Sequence, residues 1–167
     1  AERNPNVVKE LGDVGNDLQI HGSRLYAVIN VSGLIEVMDV RTAKHIGKLS
    51  IPNCRYIVFK DGFAYVSSYA GPVKIDPNAR LGYVAKVDTA TLKVVAECPV
   101  GYQPEELLIQ GDKLYVANSG GYRAPNYDKT ISIIDLKTFT EEKKVDVAIN
   151  LHRLQLDNYG KIWVSSR

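Results

Sequence analysis

The side chains that most often carry catalysis are present in this sequence but are not spaced for it. His21, His45 and His152 are scattered, with neither the HxxxH nor the HExxH spacing of a metal site. Cys54 and Cys98 form no CxxC and read as two buried free thiols. No nucleophile elbow, phosphate-binding loop or dinucleotide fingerprint occurs. Asp39, Asp88 and Asp135 recur in Asp-x-x-Thr segments ending at Thr42, Thr91 and Thr138. At short turns such carboxylates accept backbone N–H groups, and one per repeat is too dispersed to hold one ion. The residues therefore predict no enzyme, no catalytic or metal-binding residue and no resident cofactor.

A second set has recognition chemistry. Tyr69, Arg80, Tyr102, Tyr122, Arg123, Asn126, Tyr127, His152 and Arg153 all fall in turn-rich segments. Tyrosines offer rigid amphipathic surface at low entropic cost, arginines donate to phosphate, carboxylate or amide oxygens, and Asn both donates and accepts. Arg55, Asn53, Gln103 and Asn150 lie in similar stretches. The plain alternative is that these Tyr residues only stiffen loops and these Arg residues are only solvated.

Composition narrows the partners. The 167 residues carry 21 Lys+Arg against 19 Asp+Glu, a formal charge of +2, with 45 % hydrophobic and 24 % charged residues. A near-balanced charge does not announce a nucleic-acid binder or a polybasic membrane segment. No apolar run approaches the roughly 20 residues that span a bilayer.

The elements that must position these residues come from a repeat. The turn aspartates are 49 and 47 residues apart (39 to 88, 88 to 135). Before each runs an apolar-aromatic strand after a tight turn: Leu25-Tyr26-Ala27-Val28, Phe63-Ala64-Tyr65-Val66 and Leu114-Tyr115-Val116. It returns a fourth time as Ile162-Trp163-Val164. Each unit divides into four short strands; in the clearest copy these cover 106–110, 114–118, 130–135 and about 142–147. Four-stranded units at this period predict an all-β fold, a β-propeller of four-stranded blades. The expected blades are 16–50, 51–101 and 102–150, with half a blade at 151–167 and residues 1–15 as the outer strand of a neighbouring or closing blade. A seven-bladed ring at this period needs on the order of 330 residues, so the chain covers about half of one. Closure as four blades, with Pro5 to Val14 completing the last, is the alternative.

Strand direction then sorts the loops. The loop after strand two and the connection after strand four share one face, and the tight turns share the other. Loops 68–80 and 120–128 are long, whereas the equivalent Asn30-Val31-Ser32-Gly33 is short. Elaboration of one face over a plain scaffold predicts binding there. The first strand of each unit reads as apolar (Leu18-Gln19-Ile20, Ile57-Val58-Phe59, Leu107-Leu108-Ile109, Leu154-Gln155-Leu156) and predicts a channel wall with few catalytic candidates.

The stretch Cys98-Pro99-Val100-Gly101-Tyr102-Gln103-Pro104, with Leu114-Tyr115-Val116-Ala117-Asn118 and Ile131-Ser132-Ile133-Ile134-Asp135, resembles the YVTN repeat of the YncE-like, "surface layer" propellers of bacteria. Segments 118–128 and 150–154 are similar to the surface-exposed cobalamin-capture lipoproteins of gut bacteria, which are seven-bladed. That resemblance implies a non-catalytic cell-surface propeller, at the outer membrane or in the periplasm. It would bind cobalamin or another corrinoid as a ligand and hand it to an outer-membrane transporter, touching the membrane only through a lipid anchor outside this chain. Axial coordination of a bound cobalt by His152 is conceivable on the same resemblance. The residues leave two other functions open: a protein-interaction or glycan-binding envelope scaffold, and a propeller lyase or hydrolase with residues assembled across blades.

Overall fold

A computed structural model describes residues 12–166. All regular structure among them is β-strand, in four antiparallel sheets arranged in chain order. The first holds β1 (Gly15–His21), β2 (Arg24–Ile29), β3 (Leu34–Asp39) and β4 (His45–Ser50). The second holds β5 (Cys54–Lys60), β6 (Phe63–Ser68), β7 (Tyr83–Asp88) and β8 (Lys93–Pro99). The third holds β9 (Pro104–Gln110), β10 (Lys113–Asn118), β11 (Thr130–Asp135) and β12 (Thr140–Asp146). The fourth has two strands, β13 (Leu151–Leu156) and β14 (Ile162–Ser166). Strands pair with their sequence neighbours in every sheet, the blade topology expected from the repeat. In the third sheet β9 begins two residues earlier than the sequence suggested, because the Pro104 carbonyl end already pairs with Asn118. The suggested outer strand at 5–14 lies mostly outside the described residues.

The cores lie between sheets. Tyr26, Val28, Ile35 and Val37 of the first sheet pack on Ile57, Ala64, Val66 and Val87 of the second. Tyr65 and Val84 of the second meet Leu107, Leu114 and Ile134 of the third. Ala117 and Ile131 of the third meet Leu151 and Leu154. Each strand alternates side chains between its two neighbours, as a period of two requires. This corrects the expectation for the first strands: Ile57, Leu107 and Leu154 are buried between blades and do not form the channel wall. Leu18, at the same register in β1, is exposed, as is Ile20 two residues on. So is Trp163, which stands where Tyr26, Tyr65 and Tyr115 stand in the other sheets.

The turn opposite the long loops repeats in detail. Asp39 Oδ1 accepts the N–H groups of Arg41 and Thr42, Asp88 those of Ala90 and Thr91, and Asp135 those of Lys137 and Thr138. The fourth residue on, Ala43, Leu92 or Phe139, has positive φ in each case. The three carboxyls are held below the ordinary carboxylate range. The Thr42 and Thr91 amides are the main cause for Asp39 and Asp88; for Asp135, at about 2, it is the Lys113 ammonium and then the Lys137 amide. Cys54 and Cys98 are buried and unbridged, and burial pushes the Cys54 thiol up to about 11.

Candidate functional site at the channel mouth

The inner strand of every blade enters from the long-loop face through the same irregularity. Cys54 pairs with Ser68 and Ile57 with Val66, leaving Arg55 and Tyr56 opposite Ser67 alone. Likewise Glu105 and Glu106 oppose Ala117, and His152 and Arg153 oppose Ser165. Asn16 and Asp17 oppose Val28. Each is a β-bulge, which turns side chains out of the ladder and leaves one N–H without a strand partner. In two blades a serine supplies the missing acceptor: the Tyr56 N–H donates to Ser67 Oγ (3.1 Å) and the Arg153 N–H to Ser165 Oγ (3.0 Å). The residue just before each inner strand (Val14, Asn53, Gln103, Asn150) has positive φ. The backbone thus repeats four times and sets a different polar or aromatic pair at the mouth each time.

These pairs interlock around the mouth. Asp17 Oδ2 accepts the Ile57 N–H at 3.1 Å, and Glu106 Oε2 accepts the Leu154 N–H at 2.5 Å. The Arg55 guanidinium grips Glu105 side-on, Nε to Oε2 at 3.1 Å and Nη2 to Oε1 at 3.3 Å. Tyr69 donates its hydroxyl to the same carboxylate, and its ring lies 4.7 Å from the Arg55 guanidinium. Burial alone would lower the Arg55 pKa, but the Glu105 carboxylate, with Tyr69 and Tyr56, outweighs it and the pKa rises. Burial, then the same carboxylate, drives the Tyr69 hydroxyl far upward, so it remains a donor. Arg153 pairs with Glu106 at 3.0 Å and reaches over the Tyr56 ring at 5.2 Å, while His152 meets that ring edge-on at 6.4 Å.

The long loops are fastened to this ring and to each other. Asn53 Nδ2 donates to the Gly71 carbonyl and Gln103 Oε1 accepts the Tyr122 N–H at 2.6 Å, each tying a blade's loop to the start of its own inner strand. The Asp76 N–H donates to the Tyr122 carbonyl at 2.8 Å. Arg123 donates to the carbonyls of Pro77 (3.0 Å) and Asn126 (2.8 Å), with its guanidinium 3.5 Å from the centre of the Tyr102 ring. Gly120 has a φ of +55°, and a Cβ there would sit 2.3 Å from the Asp128 nitrogen, so this turn closes only on glycine.

The predicted ligand residues fall into two groups. Tyr69 is buried, Tyr102 is half-buried under Arg123, and Arg123 and Arg153 are engaged by carbonyls and by Glu106; these build the face. Tyr122 and Tyr127 are exposed, as are Asn126 and Arg80, and His152 is half-buried with its ring nitrogens unbonded to other described residues. A cavity of about 250 Å³ lies among Arg55, Tyr69, Glu105, Tyr122, Asn150 and His152. An outer hollow of about 270 Å³ has Tyr102, Arg123 and Tyr127 on its walls, and a larger one of about 710 Å³ runs from Asn30–Gly33 to Gly71–Val73. Arg80 lines none of them. Sequence reading missed Glu105, Glu106, Tyr56 and Asp17, which along the chain are only polar or aromatic residues at the start of a strand. Among the described residues no three His, Cys, Asp or Glu side chains are grouped as metal ligands.

Apolar side chains are also exposed on the loop face. Val31, Val73, Ile75, Leu81, Val147 and Ile149 are exposed on the same face as Tyr122 and Tyr127, with Ile75 76 % exposed.

No family model and no curated protein matches the sequence. Solved structures do. The chain is similar to the WD40 β-propeller domain of Doa1 (TM-score 0.69, 13 % identity, 90 % of this chain and 47 % of that one). It is also similar to a chain of the Mitotic Checkpoint Complex (TM-score 0.67, 10 %, 89 % and 43 %) and to the computationally designed Ika8 protein (TM-score 0.62, 15 %, 90 % and 45 %). The chain spans about half the length of each. Its fold is the β-propeller, present among the described residues as three four-stranded blades and the inner two strands of a fourth.

Proposed function

We propose that this chain is part of a non-catalytic recognition propeller that captures its ligand on the long-loop face, over the ring of bulges at the channel mouth. One observation carries the reading: four repeats of one bulge present different polar and aromatic side chains, rimmed by exposed Tyr122, Tyr127 and Ile75. Exposed apolar and aromatic surface beside convergent polar groups is the usual composition of a binding patch. The resemblance to cobalamin-capture lipoproteins supplies a specific ligand, a corrinoid bound at the cell surface for hand-over to an outer-membrane transporter. Its flat body suits ring walls and its fringe of amides suits Asn126, Asn150 and His152. Calorimetric titration of the full chain with cyanocobalamin is expected to give heat and saturation at micromolar ligand; a flat trace overturns the corrinoid assignment.

The exposed aliphatic rim of Val73, Ile75 and Leu81 favours a second reading, a protein segment as the ligand of the same face. Aliphatic side chains contribute to a protein interface, where Tyr and Arg anchor the centre. Replacing Ile75 by Asp separates the two. It should leave a small-molecule ligand over the mouth unaffected and abolish docking of a protein partner.

A further inference from the structure

We propose that the inner cavity at the channel mouth takes an uncharged hydrogen-bonding group, a carboxamide, and that Glu105 sets this preference by holding the Arg55 guanidinium away from anions. The proposal rests on the loop face being the recognition surface and goes on to name the chemistry of its centre. An arginine facing a cavity is ordinarily an anion site, since its planar fork matches a carboxylate or phosphate. Here its charge is already matched. The Nε–Nη2 edge of the guanidinium binds Glu105, which is itself buried and also accepts the Tyr69 hydroxyl. The neighbouring cation, Arg153, is more exposed and pairs with Glu106 through a single contact at 3.0 Å.

An incoming carboxylate would meet the fixed Glu105 carboxylate and a guanidinium already neutralised by it, in a partly dry site where such repulsion is poorly screened. What remains to bind a ligand is an amide, an imidazole and a phenol. Asn150 has both amide atoms free of hydrogen bonds to other described residues, His152 has both ring nitrogens free, and Tyr122 has its hydroxyl free. Together they offer donors and acceptors in one cavity of about 250 Å³, with the Tyr69 and Tyr122 rings 6.3 Å apart along one wall. A carboxamide, which donates from nitrogen and accepts at oxygen, complements that set. Glu105 acts through Arg55 and is a specificity-determining, positioning residue.

The test is an NMR titration of the full chain at pH 8 with propionamide and, separately, propionate, following the backbone amides of Gly121 and His152. Propionamide is expected to shift both signals and propionate to bind at least tenfold more weakly. Glu105→Gln should shift the preference at least tenfold toward propionate, and the double change Arg55→Gln with Glu105→Gln should remove that gain. Propionate binding the unmodified chain as tightly as propionamide, neither probe moving the two signals, or an unchanged preference in Glu105→Gln would each overturn the proposal. If the single variant does not fold, the unmodified chain and the double variant decide it, since both must prefer propionamide. A failed carboxamide preference while ligand capture by the Tyr122 and Tyr127 rim persists would overturn this inference alone; loss of capture would remove the reading beneath it.

Discussion

The two faces of the molecule repeat in opposite ways. On the tight-turn face the residue and its job repeat together: Asp39, Asp88 and Asp135 each cap the two amides that follow, and a positive φ closes each turn. On the long-loop face only the backbone repeats. The bulge and the left-handed residue before it recur in every blade, but the pairs they carry are Asn16-Asp17, Arg55-Tyr56, Glu105-Glu106 and His152-Arg153. A position that serves only the fold is filled alike in each copy. Side-chain variety on an invariant backbone marks a surface built for something asymmetric.

The contrast can be broken first at the ion pair. Arg55→Ala or Glu105→Ala leaves its partner charged and buried, and should cost about 3–5 kcal/mol of stability by urea unfolding. Replacing both residues by apolar ones of similar volume should cost much less. Single losses under about 1 kcal/mol would show the bulge ring to be solvated, in the sense of an exposed ion pair. Glycines give the next contrast. Gly111 sits at a tight turn with φ +59° and open space where a Cβ would go, so Gly111→Ala should cost about 1–2 kcal/mol from backbone strain alone. Gly120→Ala adds a backbone clash with Asp128 and should cost more, with loss of ligand binding. Equal thermal shifts for the two would contradict the tight closure of the 119–128 loop.

A smaller effect belongs to acid. The folded pKa of Asp135, about 2, lies below that of the unfolded chain, so its contribution is complete above the unfolded value near 4 and fades as pH falls toward 2. Asp39 and Asp88 shift in the same direction. Unfolding curves from pH 5 to 2 should therefore show stability falling, and Asp135→Asn should flatten part of that fall. An identical acid limb in the variant would remove the turn aspartates from the account.

The fold was legible because its signals are local. A turn aspartate, an aromatic strand and a tight turn each fall within a few residues and recur at nearly constant spacing, so strands and faces follow from counting. The loop face was half legible. Tyr122, Tyr127 and His152 were placed correctly by strand direction alone. Tyr69 was expected on the surface but is buried, because the carboxylate that draws it inward, Glu105, is 36 residues away. The bulges were missed for a related reason. Two residues facing one can be recognised only against the partner strand, and along the chain Arg55-Tyr56 reads as the ordinary start of a strand.

The central claim, that recognition belongs to the varied face, is tested most directly by one calorimetric comparison with a ligand of the intact propeller, cyanocobalamin first. Tyr122→Ala with Tyr127→Ala should weaken binding at least tenfold, about 1.4 kcal/mol, while Asp39→Asn with Asp135→Asn leaves it within twofold. An equal loss in both double variants, or a larger one at the aspartates, would contradict the account.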